Sequence, residues 1–281
     1  ASRDGAVSMM EVRGRITFAS YDYLGLSGHE GVRAAAVDAA TKWGVSANAS
    51  RLVGGERPFH TDLERAIADA YGVEEAVAMV SGHATNVTTI GALLGPKDLI
   101  LMDQLIHNSI AEGAKLSGAA RLTFPHNDFA WIDETLSRVR GRYERVLIVI
   151  EGLYSMDGDF PDLAEFVKIK RNHDAWLMVD EAHAFGVLGS TGRGIAEAQG
   201  VDPKSVEIWM GTLSKTLASC GGYIAGSEAL VTFLKYKAPG FVFSVGLSAP
   251  VAATAAAAVH AMLDEPAPLP PPPPPPPRPP P

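Results

Sequence analysis

The sequence predicts an α/β fold in three layers (α/β/α), with helices on both faces of a mainly parallel sheet. Two observations carry that expectation. Short apolar runs bounded by turn residues alternate with stretches of helical periodicity through most of the chain. The apolar runs are also near-continuous rather than alternating with polar residues, as strands covered on both faces require. In order, the predicted elements begin with strand Ala76–Val80 and helix Asn86–Leu94. Strand Leu99–Met102 and helix Ile106–Leu116 follow, then strand Arg121–Phe124 and helix Trp131–Val139. Strand Val146–Ile150 contains only β-branched residues and leucine, and helix Leu163–Asn172 repeats apolar residues at helical spacing. Strands Trp176–Val179 and Ile208–Met210 come next, and Val251–Leu263 is an alanine-rich helix. No internal repeat interrupts this order.

Composition narrows the class. The chain has 281 residues, enough for one or two domains, and 47% hydrophobic against 20% charged residues is a globular balance. The 24 basic and 32 acidic residues give a net charge of −8, which argues against non-specific binding of nucleic acid or an anionic membrane. Cys220 is the only cysteine, so an internal disulfide is excluded and a reducing, cytoplasmic setting is expected. No uncharged apolar stretch reaches the ~18 residues of a membrane span. The opening ASRDGAVSMM lacks the pattern of a signal peptide and does not begin with Met. The chain is therefore expected to be processed, trimmed or cut from something longer. From Pro266 the composition changes abruptly, with eight consecutive prolines at Pro270–Pro277. Such a run cannot enter a helix or sheet, so the globular part is expected to end near Asp264. The run reads as a stiff linker or terminus, or as a ligand for an aromatic-grooved adaptor.

Open parallel sheets place chemistry at the carboxyl ends of their strands. Reading those ends gives Ser81-Gly82-His83, then Asp103 and His107, then Glu151 and Ser155-Met156-Asp157-Gly158. Next come Asp180-Glu181-Ala182-His183 and Gly211-Thr212-Leu213-Ser214-Lys215-Thr216. Two readings fail on spacing. A phosphate-binding P-loop needs G-x-x-x-x-G-K-S/T, and no glycine precedes Lys215. A metal site through His107, Asp180 and His183 lacks any HExxH or CxxC spacing, so no metal is expected. One lysine, a strand-end aspartate and a glycine-rich helix start fit pyridoxal phosphate instead. That cofactor needs a Schiff-base lysine (Lys215), an acidic partner for its ring nitrogen (Asp180) and a backbone phosphate cup (Ser81-Gly82-His83).

At these residues the sequence resembles the α-oxoamine synthases, within the fold-type I pyridoxal-phosphate enzymes. The resemblance runs from about Phe18 to about Ala258. It is carried by FASYDYLGL (18–26), ASRLVGGERPFHTDLE (49–64), SGHATN (81–86), SMDGD (155–159), VDEAHAFGVLGSTGRG (179–194), GTLSKTLASCGGYIAG (211–226) and FVFSVGLSAP (241–250). It implies that Lys215 carries the cofactor and that Asp180 keeps the ring nitrogen protonated. His183 would bond the cofactor's phenolic oxygen with Ser155 close by, and His107 would lie on the ring face. Gly82 and His83, with Thr212 and Ser214, would hold the phosphate. Ser244 would reach the phosphate of a neighbouring subunit, and Asn48 would approach the site from across a homodimer. His60 and Arg51 read as structural, and Cys220 as a packed small residue. The loop from Gly189 to Gly194 reads as a mobile surface turn.

The implied reaction joins an amino acid to an acyl thioester, on CoA or an acyl carrier protein, and releases carbon dioxide to give an α-aminoketone. An aminotransferase, or an inactive partner subunit of an active homologue, remains an alternative. The implied domains are an N-terminal segment (1–45), a cofactor-binding large domain (46–264) and the proline-rich tail (265–281). Family members continue into a small C-terminal domain whose arginine binds the amino-acid carboxylate. The resemblance implies that this domain is missing here.

Overall fold

A computed structural model of the chain describes residues 19–265. The proline run and the first eighteen residues lie outside the described residues. Seven strands make one sheet: β1 (Glu75–Met79), β2 (Leu99–Asp103), β3 (Ala120–Phe124), β4 (Val146–Glu151), β5 (Trp176–Asp180), β6 (Ile208–Thr212) and β7 (Gly222–Gly226). The helices are α1 (Glu30–Trp43), α2 (Pro58–Tyr71), α3 (Gly82–Leu93), α4 (Asn108–Ser117) and α5 (Phe129–Val139). They continue with α6 (Leu163–Asn172), α7 (Ile195–Gln199), α8 (Glu228–Lys237), α9 (Pro239–Val242) and α10 (Ala249–Asp264).

The strand order is β1-β7-β6-β5-β4-β2-β3. All pairings among β2 to β6 are parallel, whereas β7 runs antiparallel to both β1 and β6. The mainly parallel sheet is therefore as predicted, with β7 as the departure. Its sequence, GYIAG, is short and ends in glycine on both sides, which reads as loop rather than strand. The sheet accepts it because all five residues are buried between β1 and β6.

Alternation along each strand divides the core into two. Ile148, Ile150, Leu177 and Val179 face one layer, which holds Leu63 and Ile67 of α2, Phe166 of α6 and Ala252 of α10. Leu147, Val149 and Met178 face the other, with Ile90 of α3, Ile110 of α4 and Leu234 of α8. Both sides of the sheet are thus dry, which is why its strands read as unbroken apolar runs. In α10 the buried positions Ala249, Ala252, Ala255 and Ala258 are all small, and this lets the helix lie close against α1 and α2.

The segment before α2 is anchored by a buried arginine. Arg51 donates from Nε to Glu56 at 2.7 Å and from Nη2 to Glu64 at 3.0 Å, while Glu64 also accepts the Ala78 N–H at 2.8 Å. His60 is buried, accepts the Arg57 N–H and meets the Leu247 carbonyl at 2.8 Å. Both are structural, as the sequence suggested. The Gly189–Gly194 loop is not left free: Glu197 accepts from Ser190 Oγ, Thr191 N–H, Thr191 Oγ and Arg193 N–H.

Candidate active site

The parallel strands β4, β5 and β6 end side by side, with Glu151 in register with Asp180 and Asp180 in register with Met210. Above these ends lies a cavity of about 310 Å³. Its walls include Ser81, Gly82, His83, His107, Asp180, His183, Thr212, Ser214 and Lys215. The structure therefore brings together nine of the residues expected from sequence. Ser155 is not in the walls and is exposed on the loop after β4; Ser244 is also outside them and half-buried. A larger cavity of about 550 Å³ sits at the amino ends of β5 and β6, among Trp176, Ile208, Leu230 and Phe233. It has no part of the lysine–histidine–aspartate group.

Lys215 sits in the turn between β6 and β7 and places Nζ 2.6 Å from His183 Nε2. His183 Nδ1 is 2.7 Å from the Tyr23 hydroxyl, a contact that spans 160 residues of sequence. Burial lowers the Lys215 pKa, against the opposing pull of Asp180 and Glu151. Burial, with the Lys215 and His107 charges, pushes His183 down to about 4. His183 is thus neutral near pH 7 and the lysine amine is easier to deprotonate than a surface lysine. The Tyr21 ring lies 5.5 Å from Nζ and closes that side.

Asp180 is buried at the end of β5. Burial raises its pKa, while the Asn86 amide and the Ala182 N–H, at 2.9 and 3.0 Å, favour the charged form. Such a carboxylate is poised to receive a cation or a ring N–H. Beside it, Glu151 is pushed up to about 8, first by burial and next by the Asp180 charge. Glu151 accepts the backbone N–H of His107 at 2.8 Å, fixing the start of α4.

The third wall is the N-terminus of α3. Ser81 caps it, accepting from the Ala84 N–H, and its carbonyl accepts from the Thr85 N–H. Among the described residues, the Gly82 and His83 N–H groups have no protein partner and open onto the cavity. A helix start of this kind binds anions. Glycine is required there: a Cβ on Gly82 would lie 2.8 Å from Thr212 Oγ, and one on Gly222 would lie 2.6 Å from the Gly82 Cα. Thr212 Oγ also bonds Ser214 Oγ at 2.8 Å, so two hydroxyls rim the same cup. An aldehyde acceptor, a carboxylate and an anion cup thus face one cavity, and this set fits pyridoxal phosphate.

Several cavity residues escape the sequence reading. Asn86 and Ser109 line the cavity, and Tyr21 and Tyr23 reach Lys215 and His183 from the N-terminal segment. Glu151, read from its strand end, lines it too, and Cys220 is not packed as expected but exposed at the cavity wall, because it lies in the turn between β6 and β7. Asn86 and Tyr23 do fall inside the quoted motifs, which was the available signal. Ser109 is visible only once α3 and α4 are placed.

The profile of the aminotransferase class I and II family matches residues 13–266. The chain is 44% identical over 251 residues to a Thermosynechococcus vestitus protein named "Putative 8-amino-7-oxononanoate synthase", covering 89% of this chain and 64% of that one. A Nostoc punctiforme relative of the same name is 44% identical over 264 residues, covering 94% and 67%. Among solved structures, Sphingomonas wittichii serine palmitoyltransferase superposes with a TM-score of 0.86 at 33% identity, covering 93% of this chain and 66% of that one. A structure titled as SPT with its PLP internal aldimine gives 0.85 at 31%, covering 92% and 67%. This chain spans about two-thirds of the length of each of these relatives. No helix among the described residues is long and apolar enough to cross a membrane. The chain belongs to the class I and II aminotransferase family and, within it, to the α-oxoamine synthases.

Proposed function

We propose that the protein uses pyridoxal phosphate, held on Lys215, to condense an amino acid with an acyl thioester and release carbon dioxide. The observation that carries this is the pairing of Lys215 Nζ with a neutral His183 at 2.6 Å, in the cavity that also holds Asp180 and the open start of α3. When bound, the cofactor supplies an aldehyde for the lysine and an electron-poor ring that spreads the charge of a carbanion.

The chain's residues then have distinct tasks. Lys215, its amine eased toward the neutral form by burial, removes the α-proton of the amino acid and later returns one. Asp180 holds the ring nitrogen protonated, which keeps the ring electron-poor. His183, tied on its other face to Tyr23, presents a neutral imidazole for the phenolic oxygen. The Gly82 and His83 N–H groups, Thr212 and Ser214 bind the phosphate. In the net reaction the amino-acid α-carbon bonds to the acyl carbonyl carbon, the thiol departs, and the carboxylate leaves as carbon dioxide. An α-aminoketone results.

The acyl donor in this reading is a CoA or carrier-protein thioester. The large domain is residues 46–264, and the segment before it supplies Tyr21 and Tyr23. A homodimer completes the site. Supporting this, Asn48 is exposed with φ at +60°, and Ser244 lies beside Phe243 and Val245, which are 87% and 49% exposed. Exposed apolar residues clustered in this way mark contact surfaces.

The test is peptide mass after incubation with pyridoxal phosphate and borohydride. A phosphopyridoxyl group on Lys215, absent from Lys215→Ala, supports the reading; no adduct on a folded chain overturns it. Thioester consumption with carbon dioxide release then supports the condensation. Amino-acid-dependent half-transamination without thioester consumption points to an aminotransferase instead.

A further inference from the structure

His107 is held by the protein at three points. Its backbone N–H donates to Glu151 at 2.8 Å. Its Nδ1 accepts the backbone N–H of Ser109 at 3.3 Å and lies 2.7 Å from Ser109 Oγ. Ser109 Oγ is in turn 2.9 Å from Asn86 Nδ2, and the same Nδ2 is 2.9 Å from Asp180 Oδ2. Asn86 and Ser109 are both fully buried.

Hydrogen-bond direction can be followed along this chain. A backbone N–H only donates, so Nδ1 of His107 is an acceptor and carries no hydrogen. The Ser109 hydroxyl therefore gives its hydrogen to Nδ1, and its oxygen must accept from Asn86. That fixes the amide with nitrogen toward Ser109 and Asp180, each receiving one of its two hydrogens. The cost is visible: Asn86 Oδ1 is buried without a partner. A carbonyl is left orphaned so that both amide hydrogens can be used, which a merely space-filling asparagine would not require. In the neutral ring the remaining hydrogen must then sit on Nε2, which has no protein partner among the described residues.

We propose that Asn86 and Ser109 are positioning residues that lock His107 as the Nε2–H tautomer, with Glu151 fixing its backbone. The lock couples the cavity histidine to the strand-end aspartate without either touching the other directly. The cofactor's place against His107 rests on the proposed function; the tautomer does not. His107 then offers a hydrogen-bond donor to whatever occupies the cavity, and no lone pair.

The test is ¹⁵N NMR of histidine side chains in the chain without cofactor, at alkaline pH where imidazoles are neutral, with His107→Gln for assignment. The expected result is a single Nε2–H tautomer for His107. An Nδ1–H tautomer, or an even mixture in the unaltered chain, overturns the proposal. Ser109→Ala leaves only the longer backbone contact at 3.3 Å on Nδ1, and Asn86→Ala leaves the Ser109 hydroxyl undirected, so in both the two ring-nitrogen signals should move partway toward each other as the tautomers mix. Signals identical to the parent in both variants also overturn it. The cofactor dissociation constant of Ser109→Ala should rise roughly fivefold, the usual effect of one lost neutral hydrogen bond. Because the tautomer is read without cofactor, a missing Lys215 adduct would sink the proposed function while leaving this result standing.

Discussion

Glu151→Gln separates ionisation from hydrogen bonding at the centre of the site. The glutamine side-chain carbonyl can still accept the His107 N–H that Glu151 accepts at 2.8 Å, but it cannot ionise. Glu151 is 5% exposed and pushed up from 4.5 to about 8 by burial and by Asp180. The folded chain thus holds this proton more tightly than the unfolded chain does. Stability from this group is complete below about pH 4.5 and is lost as pH rises to about 8. At about 1.4 kcal/mol per tenfold change, the gap is on the order of 5 kcal/mol. Lys215, Asp180 and Asp103 act on the same carboxyl and are present in both proteins, so the difference between the two isolates Glu151. Urea unfolding of the cofactor-free chain at stepped pH is the assay. Parent and variant should match within ~1 kcal/mol at about pH 4.5, and the variant should be more stable by about 3–5 kcal/mol at about pH 9. That is about 10 °C in melting temperature for a domain of this size. Parallel stability curves for the two proteins across that range would refute the argument.

Gly82→Ala should weaken cofactor binding roughly tenfold, because the new Cβ meets Thr212 Oγ at 2.8 Å in the phosphate cup; Gly141→Ala, with open space around it, should leave the dissociation constant unchanged. His183 should titrate near 4 by NMR in the chain without cofactor, and stability carried by its neutral form should be lost as pH falls from 6.5 toward 4. Arg51→Leu strands Glu64 with one cation fewer and should cost about 3–5 kcal/mol in urea unfolding without changing the fold seen by circular dichroism.

How much of this was legible in the sequence depends on distance along the chain. Six of the seven strands were found within a residue or two, since their apolar runs follow directly from burial on both faces. Strand β7 was missed because Gly222 and Gly226 are there for close approach to other backbone, not for strand propensity. Lys215, Asp180 and His183 were legible because each follows a strand, and the sheet brings adjacent strand ends together. The same rule explains what escaped. Tyr23 reaches His183 from 160 residues away, and no local pattern encodes that contact. Ser155 was placed by its motif, yet the loop carrying it is held outward. The Tyr154 N–H bonds the Asp159 carbonyl, and His126 sits between Asp103 and Asp159 at 3.0 and 2.7 Å. Burial and those two carboxylates act in opposite senses on His126, and the carboxylates prevail and raise its pKa. The side chain that ties this loop to the sheet is therefore a histidine held between two carboxylates. Ser155 follows directly on the buried Tyr154 and is turned to the surface by these contacts. Lys215, Asp180 and His183 are instead brought to one cavity by the adjacent ends of β5 and β6, which is why a motif position alone did not place Ser155.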